Sequence, residues 1–255
     1  MALDPVLPAW EGDPLSTFLS DAQRNERITA LKLPDIYALL QRVHAAFQQL
    51  ATIIEKEQDP NLLPTRFLMA RAHAAWLAAI RLGLSGQVVE AYPVLRAVVE
   101  DTWYALHLAK DHNPPTRAKI WLLRNEDATS KALCKQEFFI SNVRATHIAL
   151  DPATATTLQT LYDQTIELGA HPNQLGVSAA MTWTDMDQNC SFGVAFLTDK
   201  PVLIALALKI AVEAAVGALR TFRLIFPERF TIMGMDNEIE QLIGELNAVF
   251  KSFTP

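Results

Sequence analysis

Apolar residues recur at helical spacing along most of the chain, and breaks in that rhythm divide it into segments. Ile36, Leu39, Leu40, Val43, Phe47, Leu50 and Ile54 mark a helix from Asp35 to about Glu57, because positions three and four apart share one face. Asp59, Pro60 and Pro64 interrupt it. A second, alanine-rich helix is predicted from about Thr65 to Leu82, with Ala70, Ala72, Ala74, Ala75, Ala78 and Ala79 letting a neighbour approach closely. Gly83 is expected to stop it and Ser85 to cap a third helix that reaches Lys110. So short a link makes the two helices antiparallel neighbours. Pro93 falls inside the third helix and should open its hydrogen-bond ladder locally.

Asn113 with Pro114 predicts the start of a fourth helix running to about His147, and Asp151 with Pro152 a fifth that ends at Gly169. On the fourth, Trp121, Asn125, Ala128, Ala132, Phe139 and Val143 share a face, while Arg124, Glu126, Asp127, Lys131 and Lys135 read as a solvated side. The helical rhythm fails from Val177 to Leu197, where two strand-like runs flank the turn-prone Asp185 to Asn189. Asp199 is expected to cap a long helix to about Phe226, and Asp236 begins a last one to Phe250. Residues 1–34 read as an N-terminal arm with one short helix near Leu15 to Leu31, and 35–255 as a single domain. The expected fold is all-α: a bundle of six to eight helices with an irregular or β-hairpin excursion near residues 177–197.

Composition narrows the function more than the fold. With 255 residues, 50% hydrophobic and 20% charged, the chain can bury a substantial core. A net charge of −6 argues against broad nonspecific binding of nucleic acid. Cys134 and Cys190 make neither a disulfide framework nor a zinc signature. The apolar run Val202 to Leu219 is broken by Lys209 and Glu213, so it reads as a core helix rather than a membrane span. A soluble, cytoplasmic protein without a membrane segment is expected. No inward Glu-x-x-His pair, Gly-rich phosphate loop or Gly-x-Ser-x-Gly elbow occurs. Those absences argue against the common enzyme classes, and no metal or cofactor is implied.

Candidate chemistry concentrates between Arg66 and Lys110, where no lysine precedes Lys110. On the third helix Arg96, Glu100 and His107 fall within about 40° of one another, flanked by Tyr92, Trp103 and Tyr104. The opposite side, from Val88 to Leu106, is a full apolar face. Arg96 and Glu100 are spaced to pair along the helix, and Arg71 could reach Glu90 or Glu100 across the tight turn. One reading is a buried ion-pair network that sets helix register; losing one partner from such a network costs about 3–5 kcal/mol. The other is a polar pocket for a small anionic or hydrogen-bonding ligand, lined by Arg71, Arg96, Glu100 and His107 and walled by Tyr92, Trp103 and Tyr104. His171 and Asn173, displayed beside Pro172 after a helix end, are further ligand-binding candidates. The stripe Lys209, Glu213 and Arg220 could face the third helix.

Two resemblances add expectations. The run Arg81 to Gln87, followed by Glu90 to Arg96 and by Val99-Glu100, resembles uncharacterised bacterial all-helical proteins. In those an Arg and a Glu recur on the helix after a Ser-Gly turn and a His-Pro step follows, here Gly169 to Asn173. That likeness implies a helical bundle and no established activity. The spacing of Arg66 and His73 resembles the Arg-His signature of HEPN domains, which implies metal-independent ribonuclease chemistry on those two residues and RNA as a partner. The leading expectation is a noncatalytic binding or regulatory module that forms a homodimer; the alternative is a HEPN-like ribonuclease of a toxin or phage-defence type.

Overall fold

Asp13 opens the first helix: its carboxylate accepts from the N–H groups of Leu15 (2.9 Å) and Ser16 (3.0 Å), donors that have no partner within the helix. The computed structural model describes residues 12–170, 174–186 and 189–251. In chain order it comprises α1 (Pro14–Lys32), α2 (Pro34–Glu55), a 3₁₀ turn (Pro60–Leu62), α3 (Leu63–Ser85) and α4 (Val88–Ala109). Next come α5 (Thr116–Leu122), α6 (Ala128–Glu137), α7 (Ile140–Leu150) and α8 (Pro152–Thr165), which runs into a π-helical turn at Ile166–Ala170. After α9 (Gln174–Ala180), short strands β1 (Met181–Met186) and β2 (Asn189–Val194) pair antiparallel with Met181 opposite Val194. The chain closes with α10 (Pro201–Ile225), α11 (Pro227–Ile232) and α12 (Met235–Phe250). The fold is all-α.

α3 and α4 pack along their length, and α10 lies against both. α10 is apolar nearly all round, as a helix enclosed by its neighbours must be. By length and composition it could cross a membrane, and so could Pro60–Ser85, but 72% of the α10 window is buried inside the fold. The fully buried Trp76 on α3 donates from Nε1 to the Ala211 carbonyl of α10 at 3.0 Å. Burying such a side chain contributes roughly 1.5–3 kcal/mol, and the indole N–H is satisfied at the same time. On the far side Arg42 of α2 binds Glu238 (2.8 Å) and Glu245 of α12, tying the C-terminal helix to the second.

Several expected boundaries move, each for a local reason. α3 continues through Gly83, whose missing side chain admits Leu208 of α10. It stops instead at Gly86, which takes φ +93°, and a Cβ there would lie 2.4 Å from the Thr198 carbonyl oxygen. Ser85 therefore ends α3 rather than capping α4; its hydroxyl donates back to Leu82 O at 2.9 Å. α4 runs on through Pro93. Asp199 does not cap α10, whose N-cap is Lys200 with no side-chain hydrogen bond. Asp151 does cap α8, accepting from Thr154 N at 3.0 Å.

The largest difference lies between Asn113 and His147, where three short helices replace the single expected one. Asp127 starts a new helix by accepting from Ser130 N at 2.7 Å. Arg117 on α5 donates to the His107 and Lys110 carbonyls at 2.9 and 3.1 Å, which pins α5 to the end of α4. The segment thus folds over α4 instead of extending away from it. That fold-over makes a cleft.

Candidate ligand-binding cleft

Four side chains on consecutive turns of α4 supply one wall. Arg96 donates from Nε to Glu100 at 2.8 Å, the pairing that the four-residue spacing predicts. Its guanidinium lies 5.0 Å from the centre of the Tyr162 ring of α8. Asp101 is next, with a side chain only 13% exposed and Arg71 Nε 3.2 Å from its Oδ2. Burial raises the Asp101 carboxyl from 3.8 to about 6; Arg71 holds it down in part and Glu100 pushes it further up. Tyr104, one turn on from Glu100, completes the row. Together with Phe67 and Arg71 of α3, Trp121 of α5, Arg124, Ile140 and Tyr162, these residues bound an open cleft of 620 Å³.

An adjoining lobe of 370 Å³ shares Tyr104, Trp121, Arg124 and Ile140 and extends to Lys131, Cys134, Lys135 and Phe138. Tyr104 joins the two walls: its hydroxyl donates to the Phe138 carbonyl at 3.0 Å and its ring stacks on Phe138 at 5.5 Å. Burial, then the nearby Glu100, keeps the Tyr104 phenol protonated. Burial also pushes the Cys134 thiol up, away from the thiolate form a nucleophile needs. The two lobes carry five cations (Arg71, Arg96, Arg124, Lys131, Lys135) against two carboxylates (Glu100, Asp101). Arg124, Lys131 and Lys135 make no ion pair among the described residues. In a chain of net charge −6 this is a local reversal of sign.

The residues expected to form one interior cluster are divided among several places. Arg71, Arg96, Glu100 and Tyr104 meet in the cleft, although Arg71 is mostly exposed and pairs with Asp101 rather than with Glu90 or Glu100. The Arg96–Glu100 pair is only partly buried and opens onto the cleft. His107 lies behind it, fully buried, with Nδ1 2.7 Å from Thr146 Oγ1 and its ring edge-on to Phe138. His107 Nε2 is 3.3 Å from Glu137, outside hydrogen-bond geometry, and Glu137 is bound more closely by Arg117 at 2.7 Å. Burial and the Arg117 charge keep the His107 imidazole neutral. Trp103 is buried against Tyr162 at 5.3 Å and borders a separate cavity of 160 Å³. Tyr92 is buried away from both, its phenol pushed up to about 12 by desolvation. His171 and Asn173 lie outside the described residues.

Arg66 and His73 border neither lobe. His73 stacks on Phe47 at 4.6 Å, and its Nε2 sits 3.0 Å from Nδ1 of His44 on α2. Burial, and then His44, lower it to about 4. Lys209 and Glu213 pair within α10 at 2.5 Å, and among the described residues no ion pair joins α10 to α4.

Sequence reasoning missed Asp101, Trp121, Arg124, Lys131, Lys135, Phe138 and Tyr162 as site residues. Arg124, Lys131 and Lys135 look like an ordinary solvated face while the fourth helix is taken as continuous. The readable signal was Asp127 three residues before Ser130, an N-cap in the middle of that segment. Among the described residues no group of three or more His, Cys, Asp or Glu is placed to hold a metal ion. Comparison of the chain with protein-family models, curated proteins and solved structures finds no match.

Proposed function

We propose that the protein is a binding module that takes a small anionic ligand with a flat ring in the cleft between α4 and the α5–α7 segment. The observation that carries this is the excess of cations over carboxylates in an aromatic-walled cleft of an acidic protein. Arg96 is held in place by its hydrogen bond to Glu100, so it costs little ordering on binding. Arg124, Lys131 and Lys135 are left to meet the anion. Tyr104, Trp121 and Tyr162 give a ring three aromatic partners. The groups present favour binding over reaction: the Cys134 thiol is held protonated, and the nearby His107 is buried behind Phe138.

Calorimetric titration with aromatic carboxylates and sulfonates tests the reading, with Arg124→Glu as the control. Binding that this charge reversal abolishes supports it; binding that ignores the reversal, or none at all, defeats it. Under the ribonuclease alternative Arg66 and His73 would cleave RNA, yet a histidine held neutral against His44 and Phe47 has the character of a packing residue. RNA cleavage in the presence of a chelator, lost on His73→Ala, would restore that alternative. Exposed Val194, Phe196, Val202 and Leu206 support a homodimer, which light scattering on the purified protein tests.

A further inference from the structure

The cleft holds two adjacent carboxylates in unlike settings. Glu100 is partly exposed, and its Oε1 accepts from Arg96 Nε at 2.8 Å. Asp101 is nearly buried, and its Oδ2 accepts no hydrogen bond among the described residues although Arg71 Nε stands 3.2 Å away. A buried carboxylate keeps its charge cheaply only where donors meet its oxygens. Asp101 lacks that support, so it is the carboxylate poised to take up a proton. Burial brings it to about 6, with Arg71 drawing it down and Glu100 pushing it up.

Arg71 reaches Asp101 from α3, and its side chain is 70% exposed at the cleft. The pair with Asp101 is the one ion pair it makes among the described residues. An anion entering the cleft therefore meets a charged Asp101 in two ways, as a like charge and as the competitor for Arg71. Protonation removes both obstacles and leaves Glu100 as the one charged carboxylate against the same five cations. The other charged and titratable groups facing this lobe are Arg96 and Glu100 of α4, Arg124 beyond α5, and the phenols of Tyr104 and Tyr162. Arginines keep their charge, burial holds both phenols protonated, and Glu100 is tied to Arg96. No histidine lines either lobe among the described residues, and His107 lies behind Phe138 with its imidazole neutral.

We propose that the cleft takes its anion together with a proton on Asp101, so that binding tightens as the solution becomes mildly acidic and Arg71 is freed to meet the ligand. This rests on the ligand-binding reading above and adds its regulation. The two events are reciprocal: the factor by which the proton raises anion affinity equals the factor by which the bound anion raises the proton affinity of Asp101. Asp101 thus acts on the ligand through Arg71 and through its own charge, without being a contact residue itself. The proton comes from solvent, and the bound complex carries one positive charge more than the sum of the anion and the charged cleft.

The test is calorimetric titration of the full chain with benzenesulfonate, an aromatic anion whose charge does not change between about pH 8 and about pH 5. Across that range its affinity is expected to rise about five-fold or more toward the acid end, the lower bound of ordinary coupling between sites. Near the middle, at about pH 6.5, titrations in two buffers of different ionisation enthalpy should show net uptake of a fraction of a proton. Asp101→Asn is expected to abolish the pH dependence and to bind near neutral pH as tightly as wild type does at the acid end. An affinity that ignores pH in wild type, a dependence that survives Asp101→Asn, or weaker binding by Asp101→Asn than by wild type overturns the proposal. If benzenesulfonate binds in an Arg124-dependent way without proton uptake, the linkage fails while the ligand-binding reading stands. If it binds at no pH, both fail.

Discussion

Asp101 offers the sharpest test of whether the cleft carries a functional cost. Its side chain is 13% exposed, and the carboxyl is raised from 3.8 to about 6 by burial despite the Arg71 partner. Between those two values the folded protein holds a proton that the unfolded chain has already lost. Stability therefore falls as pH rises through this window, and the full cost is present above it. A shift of about two units corresponds to about 3 kcal/mol. Water in the open cleft screens part of this, so Asp101→Asn should stabilise the fold by about 1–3 kcal/mol near pH 7.5. Near pH 3.5 the wild-type group is protonated in the folded state and mostly so in the unfolded chain, and the advantage should shrink toward zero. Urea unfolding followed by circular dichroism at the two pH values measures both numbers. A variant less stable than wild type near neutral pH, or a difference that ignores pH, would refute the reasoning: Asp101 would then be a net structural partner of Arg71. If the expected gain is found together with weakened ligand binding, the acid is retained for binding at the expense of stability.

Three further outcomes follow from the same structure. His147 is fully buried, lowered to about 4 mainly by desolvation, and its Nδ1 has no partner among the described residues. The unfolded chain takes up this proton first as pH falls, so wild type should lose about 3 kcal/mol relative to His147→Gln between about pH 6.5 and 4, measured by paired urea titrations. Gly86→Ala must hold a side chain at φ +93° within 2.4 Å of the Thr198 carbonyl oxygen, and should cost about 2 kcal/mol or more in thermal unfolding. Arg124 is exposed and unpaired among the described residues, so Arg124→Glu should leave the unfolding free energy within about 0.5 kcal/mol of wild type while abolishing anion binding.

Helices that bury a continuous face, and pairs that lie within one helix, are legible in the chain before any tertiary contact is known. The spacing of Ile36 to Ile54 was enough for α2, and the i, i+4 spacing of Arg96 and Glu100 was enough for their ion pair, because helical periodicity is a local rule. Asp151 capping α8 was legible for the same reason. Where a helix stops was legible only in part. Gly83 and Gly86 look alike in the sequence, and the choice between them was made by Leu208 and Thr198, more than a hundred residues away. The fourth helix was broken by a local cap at Asp127 and held over α4 by Arg117, whose carbonyl partners belong to α4 and its C-terminal end. That tertiary step turned Arg124, Lys131 and Lys135 from a solvated face into one end of a cleft and brought Trp121 and Phe138 against Tyr104. It also left His107 and Trp103 behind the site. One face of a helix was readable from the chain alone; the partners that complete it come from segments distant in sequence, and only the packing of the core brings them together.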